Sequence, residues 1–162
     1  MKITGDFGLK PDPIFAPDES LYRRINPDYI YNGNCVLGNA LEDIQERHPS
    51  CSFNRSKYSE PKDVLDASHP EDNRIAHLVV SNLPGPQPHP KDPKVLYGYR
   101  VEHLPEEANY SHTEVQVTKQ GTQAPRLGSA ELRKHLREAL AEKMSVLDPA
   151  QYEVTLKPVK ER

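Results

Sequence analysis

The chain has 162 residues, 24 acidic and 21 basic side chains and a net charge of -3, which fits one domain and gives no basic footprint for nucleic acid. Hydrophobic residues make up only 35% and the mean hydropathy is -0.79, so the core must be economical, while the low net charge argues against wholesale disorder. No apolar run approaches the ~20 residues of a membrane span, no cationic and apolar leader opens the sequence, and two cysteines are too few for a disulfide scaffold, so a soluble cytoplasmic protein with reduced thiols is expected.

Residues 1–20 hold Pro11, Pro13 and Pro17 without apolar periodicity and read as an extended arm, ordered only where it packs on the body or a partner. A single domain over 21–162 follows, opening at Leu21-Tyr22-Arg23-Arg24-Ile25 with an Asn26-Pro27 turn. Val36, Leu37, Ala40, Leu41 and Ile44 lie near helical spacing and predict a short helix over 35–47. Pro49 would end it, because the residue before proline is driven out of the α region. A second short helix is expected after Ser59, with Pro61 at its first position.

Arg74 to Leu83 carries Ile75-Ala76-His77-Leu78-Val79-Val80 and reads as a buried strand. The proline-rich loop 84–94 should then hold no regular structure. Val95–Leu104 and Asn109–Lys119 form the clearest unit, two strands joined by a hairpin loop. On the second, Thr113, Val115 and Val117 share one side, with His112, Glu114 and Gln116 on the other. Ser129 should cap a helix to Leu147 whose Leu132, Leu136, Leu140 and Met144 form one apolar stripe. Gln151 to Lys157 reads as a last strand. The fold class is α+β, a small antiparallel sheet with the C-terminal helix packed on one face.

Cys35, His48, Cys51 and His69 could ligate Zn²⁺ only in an unpaired spacing, and two thiols with two surface histidines are the plainer reading, so no metal is expected. Glycine-loop nucleotide signatures and the Gly-x-Ser-x-Gly elbow are missing, and no cofactor is expected. His112 and Glu114 lie ~7 Å apart on one strand face and could share a proton or hydrogen-bonding task. Arg23 and Arg24 could clamp an anion. The sheet face with Tyr97, Tyr99, Arg100 and His112 could stack a small ligand or nucleic acid, although Tyr97 and Tyr99 share the parity of Val95 and Val101 and read as core. The segment Pro84–Pro93 could serve as a polyproline II ligand.

Leu21-Tyr22-Arg23-Arg24, Ser52-Phe53-Asn54-Arg55, Leu104-Pro105-Glu106-Glu107 and His112-Thr113-Glu114-Val115, in that order, resemble the motifs of a group of small uncharacterised bacterial proteins. The resemblance covers residues 21–65 and 96–117, with Phe53 where the group has Val. It implies a bacterial, cytoplasmic setting and carries no activity.

Three functions follow as expectations. The first is a non-catalytic interaction module, an accessory or adaptor subunit with a protein partner that orders the arm or the proline-rich loop. The second is a small ADP-ribosyltransferase-like enzyme, with Arg23 on the NAD phosphates, Ser52 on a middle strand and Glu114 on the ribose, His112 beside it. The third is the small-ligand or nucleic-acid binder on the sheet face.

Overall fold

The computed structural model describes residues 9–65 and 73–152. Its body is a nine-stranded antiparallel sheet with seven strands in its main path, larger than the small sheet expected but α+β as read. That path runs β11 (Ser145–Val146), β6 (Arg74–Val79), β1 (Ser20–Ile25), β5 (His48–Arg55), β9 (His112–Lys119), β8 (Asp92–His103) and β7 (Gln87–His89). Two short strands pair at its side, β4 (Ile44–Gln45) on β5 and β10 (Thr122–Gln123) on β9. A separate two-stranded ribbon joins β2 (Ile30–Tyr31) to β3 (Cys35–Val36).

Alternation gives the sheet two unlike faces. Leu21 and Ile25, Cys51 and Phe53, Leu78, Val115 and Val117 point to one face and are buried there. The helix α2 (Ala130–Glu142) covers that face with Leu132, Leu136, Leu140 and, just beyond its end, Met144. Ser129 starts α2 as its sequence suggests, its hydroxyl accepting a bond from the Leu132 N–H at 3.2 Å. The other face carries Ser50, Ser52 and Asn54 of β5, His112, Glu114 and Gln116 of β9, and Arg100 and Glu102 of β8, placed side by side by the register. Its β6 end is closed by a small cluster of Leu65, Ile75 and Tyr152, beside the one-turn helix α1 (Pro61–Val64).

Five expectations change. The span 35–47 is not a helix: Asn32 and Gly33 turn at positive φ, Cys35–Val36 is a strand, and only Gly38–Leu41 makes a 3-10 turn. The near-helical spacing is met instead by that turn packing on α2, so closely that a Cβ on Gly38 would stand 3.2 Å from the Glu138 backbone nitrogen. Pro49 does not stop a helix but sits second in β5, ahead of the pairing with β9 that starts at Ser50. The proline-rich loop contributes β7 and the start of β8, with Pro88 opposite Leu96. The helix predicted to Leu147 ends at Glu142, because Ser145 and Val146 leave it to pair with His77 and Ala76. Of the expected final strand, Gln151 and Tyr152 belong to a 3-10 turn and residues 153–157 lie outside the described residues.

One buried cation ties the segment before β1 to the sheet. The Arg55 side chain is fully buried. Its Nε and Nη2 donate to the two Glu19 oxygens at 2.7 and 2.9 Å, and Nη1 and Nη2 donate to the Asp12 and Ile14 carbonyls, both at 2.7 Å. The Phe15 ring lies 3.9 Å from the guanidinium carbon. Beneath it His103 accepts the Asp12 N–H at Nδ1 and therefore donates through Nε2 to the Tyr110 carbonyl at 2.6 Å. Burial lowers the His103 pKa, in keeping with that neutral form. Tyr58 stacks on His103, and Tyr110 packs edge-on to both.

Replacing Arg55 by alanine leaves the Glu19 carboxylate buried without its partner and should cost about 3–5 kcal/mol, read as a lower urea midpoint with an unchanged slope. Asp12 accepts from Lys57 at 2.8 Å and Tyr58 at 2.6 Å, and these bonds hold its carboxyl well below the usual carboxylate range. A depressed folded pKa stabilises above the unfolded value, and the gain disappears as acid protonates the folded carboxylate. Urea melts of Asp12→Asn between about pH 2 and 6 should therefore lose part of the fall in stability that the parent shows below about pH 4.

Candidate functional site

The site arises where two strands part. β1 pairs with β5 only at Leu21↔Arg55 and Tyr22↔Asn54, while Arg23, Arg24 and Ile25 stay in register with Ala76, Ile75 and Arg74 of β6. Ser52 is left with its backbone groups facing the gap, since buried or half-buried peptide groups need partners. Arg23 and Asp43 supply them. Arg23 Nη1 donates to the Ser52 carbonyl at 2.9 Å and to Asp43 Oδ2 at 3.0 Å, and the Ser52 N–H reaches Asp43 Oδ2 at 3.5 Å. Arg23 Nε and Nη2 hold the Ala40 carbonyl at 3.2 and 2.9 Å, which fixes the 38–41 turn. Burial alone would raise the Asp43 pKa, but the Arg23 hydrogen bond and charge, with the Ser52 N–H, outweigh it and lower the carboxyl.

A cleft of about 470 Å³ opens at this gap, lined by Arg23, Arg24, Ser52, Asn54, Asp63 and Asn109 among others. A smaller recess of about 230 Å³ continues from Asn54 and Asn109 toward Ser59 and Ser111. The Asn54 carbonyl oxygen accepts from Asn109 Nδ2 at 2.7 Å and Ser111 Oγ at 3.0 Å, which aims the Asn54 amide NH₂ elsewhere, without a partner among the described residues. Arg24 is exposed, and its side chain makes neither an ion pair nor a hydrogen bond among the described residues. Asp63 is held by the Glu60 N–H at 2.8 Å as part of the α1 cap. The cleft thus offers the Arg24 guanidinium and the Asn54 amide as donors, beside the carboxylates of Asp43, which is paired with Arg23, and Asp63.

The residues singled out from sequence converge on this region. Arg23, Arg24 and Ser52 line the cleft, Glu114 lies across the ladder from Ser52, and His112 across from Asn54. His112 Nδ1 stands 3.3 Å from Glu106 Oε1, at the hairpin turn. Glu114 Oε1 stands 4.0 Å from His48 Nε2, and His48 donates through Nδ1 to the Asp43 carbonyl at 3.1 Å. Tyr97 is buried and Tyr99 donates its hydroxyl to the Leu136 carbonyl at 2.7 Å, so both serve the core. Cys51 is buried, and burial pushes its thiol up to about 12; Cys35 is partly exposed, and His69 lies outside the described residues. Sequence reasoning missed Asp43, Asn54, Asp63 and Asn109, which reach the cleft only through the strand gap.

No family model matches the chain, and neither does any curated protein or solved structure.

Arg23→Met should strand the Ala40 and Ser52 carbonyls and cost about 1–3 kcal/mol. In the same variant an NMR titration should find the Asp43 carboxyl at a higher pKa than in the parent, since the lowering influence of the guanidinium is gone while burial remains.

Proposed function

We propose that the protein is a non-catalytic interaction module, an accessory or adaptor subunit of a bacterial cytoplasmic system, which takes an acidic group of a protein partner into the Arg24 cleft. The observation that carries the reading is Arg24, an unpaired guanidinium at a polar cleft that presents further donors from Asn54. A carboxylate fits that array, because a guanidinium fork matches it in charge and geometry. Arg23 supports the reading from the other side. Four of its N–H groups are engaged by Ala40, Asp43 and Ser52, so the fork that an NAD-phosphate clamp would need is already occupied by the fold.

Affinity purification from the native host with cross-linking should yield a stoichiometric partner cross-linked near the cleft, and Arg24→Glu should weaken that complex about tenfold or more. A partner retained at full strength by Arg24→Glu would refute the cleft as the docking site. NAD binding that is lost in Glu114→Gln would instead move the site to an ADP-ribosyltransferase-like reading.

A further inference from the structure

The alternation of the β1 ladders decides which backbone groups line the cleft. Ile75 turns its own groups away from β1, its N–H to Tyr152 Oη at 2.7 Å and its carbonyl to the Leu147 N–H at 2.8 Å. Arg24↔Ile75 is therefore a non-bonded pair, and the Arg24 N–H and carbonyl point to the β5 side. There the bond from the Ser56 N–H to the Ser20 carbonyl sets the same phase, with Tyr22↔Asn54 bonded and Ser52 next in line for Arg24. Ser52 is already engaged: Arg23 Nη1 holds its carbonyl and Asp43 Oδ2 its N–H. The peptide groups of Arg24 are left facing the cleft, and peptide groups so placed call for a partner.

The open pairing position has one direction. Tyr22 is taken by Asn54 and the Asn26 carbonyl by the Tyr29 N–H, so Arg24 is the position on this edge with both groups to give. One residue exchanges both bonds only with an antiparallel neighbour. β1 runs outward from the closed Tyr22↔Asn54 end, so an antiparallel segment runs inward and reaches that end with its C-terminal side. An internal residue would have to continue through the Tyr22↔Asn54 pair. We propose that the acidic group taken by the cleft is an α-carboxylate, that of the partner protein's C-terminal residue, which pairs with Arg24 as a strand residue would. Its N–H donates to the Arg24 carbonyl, and one carboxylate oxygen accepts the Arg24 N–H. The other oxygen is left to the Arg24 guanidinium and to the Asn54 NH₂, which the bonds from Asn109 and Ser111 to the Asn54 oxygen leave unengaged. The volume of about 470 Å³ falls within the ~300–1,000 Å³ of small-ligand sites, enough for a chain end. Asp63 on the wall repels a second acid, so the terminal side chain is neutral or basic. The proposal rests on the reading of the cleft as a docking site for an acidic group, and narrows it.

Titration of the full chain with the peptide acetyl-Ala-Ala-Lys bearing a free carboxylate should give binding, and its C-terminal amide should bind at least about tenfold more weakly. In amide NMR spectra the acid should move the Arg24 backbone N–H and the Asn54 side-chain amide. Arg24→Ala keeps the backbone groups, so there the acid should bind more weakly while the N–H at position 24 still shifts. Equal affinity for acid and amide overturns the proposal. So does free lysine binding as tightly as the peptide, which makes the cleft a site for a small zwitterion. An internal acid, acetyl-Ala-Glu-Ala-amide, binding as tightly as the free C-terminus overturns it while leaving the cleft an acidic docking site. Absence of binding by all these peptides overturns it too, and the complex with the native partner then decides the broader reading: weakening by Arg24→Glu keeps it, and indifference refutes it.

Discussion

The Arg55 guanidinium is the interaction on which much of this architecture rests. A fully buried charge is tolerable only when its desolvation is offset by close, well-directed partners. Arg55 has them: a bidentate carboxylate from Glu19, carbonyls from Asp12 and Ile14, and the face of Phe15. Every one of these partners comes from the segment ahead of β1, whereas Arg55 itself ends β5. The ion pair therefore does the work that apolar packing cannot do for a proline-containing segment with few hydrophobic residues. It also orders His103, Tyr58 and Tyr110 around it, each ring holding the next in a fixed tilt.

Arg23 solves a different problem with the same functional group. Where β1 and β5 part, a strand would have offered Ser52 a donor and an acceptor in alternation. Arg23 and Asp43 offer the same pair from side chains. The gap survives because its walls are satisfied, and a satisfied gap is a cleft rather than a defect. Arg24, the next residue, points to the other side of the strand and inherits none of those partners. Adjacent arginines thus divide, one held within the fold and one left to face outward, by strand parity alone.

How much of this could be read from the sequence depended on whether a segment's partner was near or far along the chain. The hairpin of β8 and β9 was legible because alternation and a short turn are local signals, and α2 was legible because Leu132, Leu136, Leu140 and Met144 recur at helical spacing. β5 was not: Pro49 looked like a helix stop, and the strand is specified by β9, which lies more than fifty residues downstream. The 35–47 segment misled for a related reason, since its apolar residues satisfy contacts to α2 and not a helix period of their own. Arg23, Arg24, Ser52, His112 and Glu114 were singled out for their chemistry and do gather in one region. The residues that complete the cleft, Asp43, Asn54 and Asn109, carry no motif, because a strand gap has no signature in the order of residues.

The strand order also bears on how the protein can be made. β1 precedes β5 and β6 in the chain yet lies between them, and β6 is finished on its far side by β11, which follows all of them. Tyr152 then closes the register by accepting the Ile75 N–H at 2.7 Å and donating to its carbonyl at 2.9 Å. The sheet is therefore incomplete until residues near 150 have taken their place beside β6. Such long-range pairing is slow to nucleate, and half-built sheets expose open edges to other nascent chains. Until β11 pairs with it, β6 keeps one edge open, and that edge is where a half-built sheet of this order is most exposed to mispairing.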